Sequence, residues 1–334
     1  MTTATPLAPT IGPLDAVDLH LHTLASDGAW TVDGLIAHLA EHRFKVAAVC
    51  DHDSQRSVAE AIRLGGERGV HVIPGVEMTT WWADRQWHLL VYGIGPGRTE
   101  EAAADWNACL TEIDATLQAR AADARDRYEA AGFALPSLEE IRAGRPLWPF
   151  HVLSAVIKDG HKPNLKEAAE RLVELGGNFT ADLPLERVVA AAHAAGGLCV
   201  VAHPGRSDSI GVMTEADLDS MLKTIPVDGL EAHYRSYTDA QTALYRRMAR
   251  DHGLLISCGS DSHALGQPVD PRKWRAAWCR DLLGRLGVTV APDDPGPIWT
   301  EGMDPLCAEE KSPEPEPTEP EPANVTSDLD KPRP

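Results

Sequence analysis

Two histidines spaced two apart inside an apolar run, Asp18-Leu19-His20-Leu21-His22, constrain this chain more than any other stretch. Residues 16–21 have the length and apolar content of a buried strand. Side chains on a strand alternate between faces, so His20 and His22 share one. Two imidazoles side by side on a rigid strand form half of a metal site. Asp27 follows shortly after, and the device recurs along the chain. Asp51-His52-Asp53 follows the apolar run 46–50, and Gly75-Val76-Glu77 follows 71–74. Trp87-His88-Leu89, Val200-Val201-Ala202-His203-Pro204 and Ser260-Asp261-Ser262-His263 complete the series. A lone strand histidine is ordinarily a core residue with one hydrogen-bond partner. That reading suits His38, His42, His71, His161, His193 and His252, which lack matching spacing. For His20, His22, Asp27, His52, Glu77, His88, His203, Asp261 and His263 together it would need a run of coincidences, so these are the candidate metal ligands.

The same series fixes the expected architecture. Strand-like and helix-like segments alternate from 15 to about 97: strand 16–21, helix 31–42 with Thr31 as N-cap, strand 46–50, helix 57–68, then strands 71–74 and 87–92. Gly93-Ile94-Gly95-Pro96-Gly97 breaks the pattern. Alternation resumes from 184, with strands at 198–202, 229–232 and 254–258, a last helix near 271–286 and a short strand at 288–290. Repeated βα units imply a parallel sheet with helices outside. Ligands that arrive from the C-terminal ends of many strands converge if the sheet closes into a barrel. The expected division is a flexible leader at 1–13, barrel segments at 14–98 and 180–300, an all-helical insertion at 99–179 that caps the substrate, and a tail at 308–334. That tail (Glu314-Pro315-Glu316-Pro317, Glu319-Pro320-Glu321-Pro322) has the composition of a disordered, solubilising extension.

Charge and composition exclude several classes. The formal net charge is −19, and the tail from 308 holds eight acids against three bases. The remaining body is still strongly acidic, a poor match for duplex nucleic acid, whose binding rests on Lys and Arg neutralising phosphates. No run is long and apolar enough for a membrane span, and the N-terminus lacks the basic start and apolar core of a signal peptide, so a cytoplasmic location is expected. Six cysteines without CxxC spacing do not make a disulfide framework. Cys50, Cys199 and Cys258 read as small buried hydrophobes on strands. Nothing in the composition implies an obligate protein partner.

Taken in order, Asp18–His22, Ser26-Asp27-Gly28, Asp51-His52-Asp53, Gly75-Val76-Glu77, Trp87-His88-Leu89, Ala202-His203-Pro204-Gly205-Arg206 and Gly259-Ser260-Asp261-Ser262-His263 resemble the motif series of the PHP (polymerase and histidinol phosphatase) superfamily. They look most like its stand-alone bacterial phosphoesterases, which act on nucleoside 3′,5′-bisphosphates and trim short RNA from the 5′ end. The resemblance implies a distorted (β/α)₇ TIM-like barrel and a trinuclear metal centre. By that resemblance His20, His22, Glu77 and Asp261 would hold the first ion. Glu77, bridging, would hold the second with His88 and His203; Asp27, His52 and His263 would hold the third. A metal-bridging hydroxide held by Glu77, His20, His22 and His88 would attack phosphorus. Asp51 and Asp53 would orient imidazoles from behind. The chain departs from the family in its insertion, where Trp148-Pro149-Phe150-His151 lacks the usual arginine and Arg145-Pro146 stands upstream. Tyr237 stands near a usual histidine, and Ser262 replaces a usual aromatic.

Three divalent ions against three carboxylates and a hydroxide leave a surplus of about two positive charges, which suits a phosphate monoester dianion. Mixed His and carboxylate ligation admits Mn²⁺, Fe²⁺ or Zn²⁺, with Mn²⁺ favoured for activity. Arg206 is the leading phosphate contact, followed by Arg145, His151 and Arg235. Of the pair Trp81-Trp82, one could stack a base, although packing competes as an explanation. The expected function is a metal-dependent phosphoesterase acting on a 3′,5′-bisphosphonucleoside, on short RNA or DNA as a 5′→3′ exonuclease, or on both. Alternatives are a phosphatase of another small monoester (histidinol phosphate or a specialised-metabolite intermediate), an amidohydrolase, and a non-catalytic PHP module.

Overall fold

The computed structural model describes residues 9–96, 99, 101–181, 183–206, 212–264, 270–292 and 299–303; the tail at 308–334 lies outside the described residues. The first element, β1 (Thr10–Ile11), pairs in parallel with β11 (Thr289–Val290). It falls within the stretch expected to be a flexible leader, yet Ile11 packs in the core cluster that holds Val288 and Val290.

The barrel follows from alternation of buried strands and half-buried helices. Strand β2 (Ala16–Leu21) is buried along its whole length, as is β3 (Phe44–Val49) apart from Lys45. Between them runs α1 (Val32–Glu41), started by the Thr31 hydroxyl, which accepts the Gly34 amide. Helix α2 (Val58–Arg68) ends at Gly69, whose φ of 76° would strain any side chain. Next come β4 (His71–Trp82) and β5 (Arg85–Tyr92).

Here the sheet departs from the all-parallel expectation. β5 runs antiparallel to β4 and, on its other edge, to β7 (Leu198–Val201). The connection is a two-residue hairpin in which Ala83 and Asp84 both adopt positive φ, 50° and 58°. Primed turns of that kind match the twist of paired strands, but they ordinarily announce themselves by Asn-Gly or Asp-Gly. Trp82-Ala83-Asp84-Arg85 carries no such signal.

Four helices leave the barrel after β5: α3 (Ala104–Ala130), α4 (Leu138–Arg142), α5 (Pro149–Lys158) and α6 (Leu165–Glu174). The buried residues of α3 recur at three- and four-residue intervals, so they form one stripe. Trp106, Cys109, Ile113 and Leu117 pack into the barrel's cluster, and Ala121, Ala124 and Tyr128 pack among α5 and α6. One helix therefore joins two cores, which fixes the insertion over the barrel. The chain returns through β6 (Leu183–Pro184), paired to β4, and α7 (Leu185–Ala194).

The remainder is β7 (Leu198–Val201), α8 (Glu215–Leu222), β8 (Gly229–Tyr234), α9 (Asp239–Asp251) and β9 (Leu255–Gly259). β7, β8 and β9 pair in parallel. The expected helix near 271–286 is broken: β10 (Trp274–Arg275) pairs antiparallel with β2, a 3₁₀ turn covers Ala276–Cys279, and α10 (Arg280–Arg285) completes it. The strand order β10-β2-β3-β4-β5-β7-β8-β9 closes nearly into a barrel. At the seam, the Asp261 amide donates to the His20 carbonyl at 2.8 Å and the His22 amide to the Ser262 carbonyl at 2.9 Å. First and last ligand motifs are thereby stitched together. No helix among the described residues is long and apolar enough to cross a membrane.

Candidate metal centre

Strand geometry delivers the ligands to one end of the barrel. His20 and His22 emerge side by side from β2; His52, His203, Asp261 and His263 follow the ends of β3, β7 and β9. Glu77 and His88 come from the adjacent strands of the hairpin. Glu77 is fully buried, and its two oxygens face different imidazoles. Oε2 lies 3.0 Å from His20 Nε2, 3.2 Å from His22 Nε2 and 3.3 Å from His52 Nε2. Oε1 lies 2.9 Å from both His88 Nδ1 and His203 Nε2. Asp261 divides in the same way. Its Oδ1 lies 3.0 Å from His22 Nε2 and 3.5 Å from His263 Nδ1, while Oδ2 accepts the Tyr234 hydroxyl at 2.7 Å. Asp27, the most exposed of the carboxylates, sits 3.2 Å from His263 Nε2, 3.8 Å from His22 Nδ1 and 3.9 Å from His52 Nε2.

All nine candidate ligands from the sequence thus converge. They overlap as three groups, His20/His22/Glu77/Asp261, His22/Asp27/His52/His263 and His52/Glu77/His88, with His203 joined through Glu77 Oε1. The first of these is the set that the resemblance implies for one ion, and His22 and His52 each border two groups.

The donors fit divalent ions. Both ring nitrogens of His22, Nδ1 of His52 and Nδ1 of His203 are buried with no hydrogen-bond partner among the described residues. Yet His22 Nε2 is 3.0 Å from one carboxylate oxygen and 3.2 Å from another. Lone-pair atoms that close, without an aligned proton, repel each other. A cation at about 2.0–2.2 Å from each would bring both into a coordination shell. Electrostatics point the same way. Burial alone would raise Glu77 and Asp261, but the imidazoles outweigh it and hold both carboxyls well below their usual range. Asp27 is lowered likewise, by His263 and His52 acting against burial. Burial opposes charge on His22, yet Asp261 and Glu77 raise it to about 10. At His52 burial prevails and lowers the ring to about 3, leaving a neutral donor. Ionised carboxylates around rings that favour positive charge make a pocket where metal ions displace protons.

Behind this layer lie groups that the sequence reading assigned differently or missed. Among the described residues the Asp51 carboxylate takes its hydrogen bonds from no imidazole: Oδ1 accepts the Thr23 amide at 2.6 Å and the Ser26 hydroxyl at 2.8 Å, and Oδ2 the hydroxyls of Thr23 and Ser57. It therefore orients the loop that carries Asp27. Asp53, raised to about 7 by burial, accepts the Thr79 amide and orients β4. The imidazole-orienting carboxylate is Glu231, fully buried in β8, 3.0 Å from His20 Nδ1 and accepting the His203 amide at 2.7 Å. Its only sequence signal is an acid inside the apolar run 229–232. Gln86 was also missed; its amide nitrogen lies 2.9 Å from His88 Nε2. Asp53, His203 and Asp261 have φ of 51°, 28° and 53°, backbone strain placed at the ligand loops.

Of the candidate phosphate contacts, Arg206 and Arg235 stand at the centre, 3.3 and 3.5 Å from Asp261 Oδ2. Arg145 instead donates to the carbonyls of Leu24, Ser26, Ile141 and Arg142, tying the insertion to the Asp27 loop. His151 is buried in the first turn of α5. Its Nδ1 accepts the Trp148 amide, and burial lowers the ring to about 4, so the neutral ring carries its proton on Nε2, which has no partner among the described residues. A separate His193/Cys199/Asp228 group is accounted for by hydrogen bonds, since Asp228 Oδ2 accepts from both His193 and the Cys199 amide.

No family model matches the chain. A 5′-3′ exoribonuclease of Haemophilus influenzae, however, is 30% identical over 259 residues, 74% of this chain and 89% of that protein. This chain belongs to the PHP phosphoesterases. A 3′,5′-nucleoside bisphosphate phosphatase of Chromobacterium violaceum is 29% identical over 75% of the chain and 88% of that protein. A solved structure from the same organism, named an amidohydrolase with bound sulfate and no metal, superposes with a TM-score of 0.64 at 27% identity, covering 76% of this chain and 89% of that one. As a PHP phosphoesterase the chain is a metal-dependent hydrolase of phosphoric esters, which sets aside the non-catalytic module.

Proposed function

We propose that this PHP phosphoesterase removes a phosphate from a nucleotide, with a 3′,5′-bisphosphonucleoside as the leading substrate and short RNA or DNA attacked from the 5′ end as a second. The observation that carries the reading is Glu77, whose two oxygens are shared among five imidazoles. A carboxylate so placed suits a bridge between ions, and a bridged pair is a recurrent device for phosphoryl transfer. We assign His20, His22, Glu77 and Asp261 to one ion, Glu77, His88 and His203 to a second, and Asp27, His52 and His263 to a third, with Mn²⁺ the favoured metal. Bound there, the ions would supply Lewis acidity and an ionised water near neutral pH.

The chain's own groups supply the rest. Glu231 holds His20 by one ring nitrogen, so that the other faces Glu77. Arg206 and Arg235 lie against Asp261 Oδ2, and their remaining N–H groups would serve a phosphate oxygen. His151 offers an Nε2–H from the insertion. The relatives named for a bisphosphate phosphatase and an exoribonuclease support the nucleotide class, and such substrates fit a cytoplasmic enzyme. Phosphate release from adenosine 3′,5′-bisphosphate, and release of 5′-mononucleotides from a short 5′-phosphorylated RNA, both measured with Mn²⁺, test the reading. Release from neither, alongside turnover of a non-nucleotide phosphate ester, would reject it in favour of another small monoester.

A further inference from the structure

We propose that Trp81 is a stacking platform for the nucleobase of the substrate, an inference that rests on the nucleotide reading above. Along β4, Glu77, Thr79 and Trp81 alternate onto one face, because side chains two apart share a side. Across the hairpin, Thr79 stands opposite His88 and Trp81 opposite Gln86. Glu77 and His88 both look into the metal centre, so Trp81 and Gln86 form the next layer outward on that inward face. Two residues of strand, about 7 Å, separate Trp81 and Gln86 from the Thr79–His88 pair, and four, about 13 Å, separate Trp81 from Glu77. The layers are also in contact, since the Gln86 amide nitrogen reaches His88 Nε2 at 2.9 Å.

The neighbouring Trp82 shows what packing does to an indole here. It points to the opposite face, where it is partly buried and packs on Trp87 with ring centroids 6.0 Å apart. Trp87 in turn lies under the Arg85 guanidinium. Trp81 is 40% exposed, and among the described residues no aromatic ring or guanidinium lies against it. The core thus accounts for Trp82 and leaves Trp81 as a bare π face one layer above the ions. A phosphate held at the ions with its sugar turned outward brings a base to that height. Stacking on an aromatic ring accepts any base, which suits a substrate class defined by phosphate position and not by base identity.

Calorimetric titration of the full-length, Mn²⁺-loaded protein with adenosine 5′-monophosphate and with ribose 5-phosphate isolates the base, since the two share phosphate and sugar. The wild type is expected to bind the nucleotide about 5- to 100-fold tighter. Trp81→Ala should bring the two affinities together while leaving ribose 5-phosphate binding, metal content and circular dichroism unchanged; Trp81→Phe should keep most of the difference. Equal affinities in the wild type, or a base advantage that survives Trp81→Ala, would overturn the platform. Failure of the wild type to bind ribose 5-phosphate at all would instead strike the phosphoester reading, and this inference with it.

Discussion

Asp51 and Glu77 are buried carboxylates, one just past the end of β3 and the other midway along the neighbouring β4, and they live in opposite chemical worlds. Asp51 is ringed by donors: one amide and three hydroxyls from Thr23, Ser26 and Ser57. Glu77 is ringed by five imidazoles, groups that are lone-pair donors to metals when neutral. A carboxylate whose lone pairs all meet N–H or O–H groups is complete and acts as a structural clamp. One whose neighbours compete with it for positive charge is complete only with cations present. The contrast separates the part of the barrel end that holds shape from the part that performs chemistry.

The largest expected effect breaks the cation side of the comparison. His22→Ala or Asp261→Ala should cut turnover by on the order of 10³-fold while circular dichroism reports an intact fold; full activity in either would refute the site. Next is removal of the ions themselves. Dialysis against a chelator should abolish activity and lower the melting temperature, and Mn²⁺ should restore both. At a metal concentration about a thousand times Kd, the stabilisation recovered would be about 4 kcal/mol. An unchanged melting curve would show that the imidazole–carboxylate cluster is complete without ions.

Glu231→Gln sharpens the boundary between the two regions, because Glu231 belongs to neither. It holds His20 from behind, so metal affinity measured by competition with a chelator should fall about 10- to 100-fold with little change in stability. The smallest effect on chemistry should come from the clamp. Asp51→Asn swaps an acceptor for an amide that faces hydroxyl and amide donors, costing about 1–3 kcal/mol in denaturant unfolding while leaving the metal stoichiometry unchanged. Loss of metal at parity with Glu231→Gln would erase the distinction drawn between Asp51 and Glu77. Gly259→Ala tests how closely the layers fit, since its Cβ would collide with the Glu231 carboxylate and with His20 Cβ. It should weaken metal binding without any ligand having been changed.

The converging candidate ligands were legible because metal chemistry uses few residue types, and a strand displays them with period two. His20 and His22 needed only that rule. Glu231 escaped because a single acid in an apolar strand looks the same whether it serves a ligand or the core. Asp51 was read as an imidazole partner because adjacency to His52 in sequence says nothing of where its side chain turns. The antiparallel β5 escaped for a related reason: the Ala83-Asp84 turn adopts positive φ without the residues that usually permit it. The same holds for Asp53, His203 and Asp261, whose backbone conformations are imposed by the strands and hydrogen bonds around them.

By itself the sequence determined the alternation of buried strands and helices, the nine side chains that converge as candidate ligands and the phosphate-class chemistry they imply, because each depends on local periodicity or on residue type. Only the tertiary structure decided which ligands face which carboxylate oxygen, which acid orients an imidazole, which of two adjacent tryptophans is left bare, and how His20 and Asp261 meet across the seam. Those outcomes depend on contacts between residues as many as 241 positions apart, and burial and hydrogen bonding fix them only when the sheet closes.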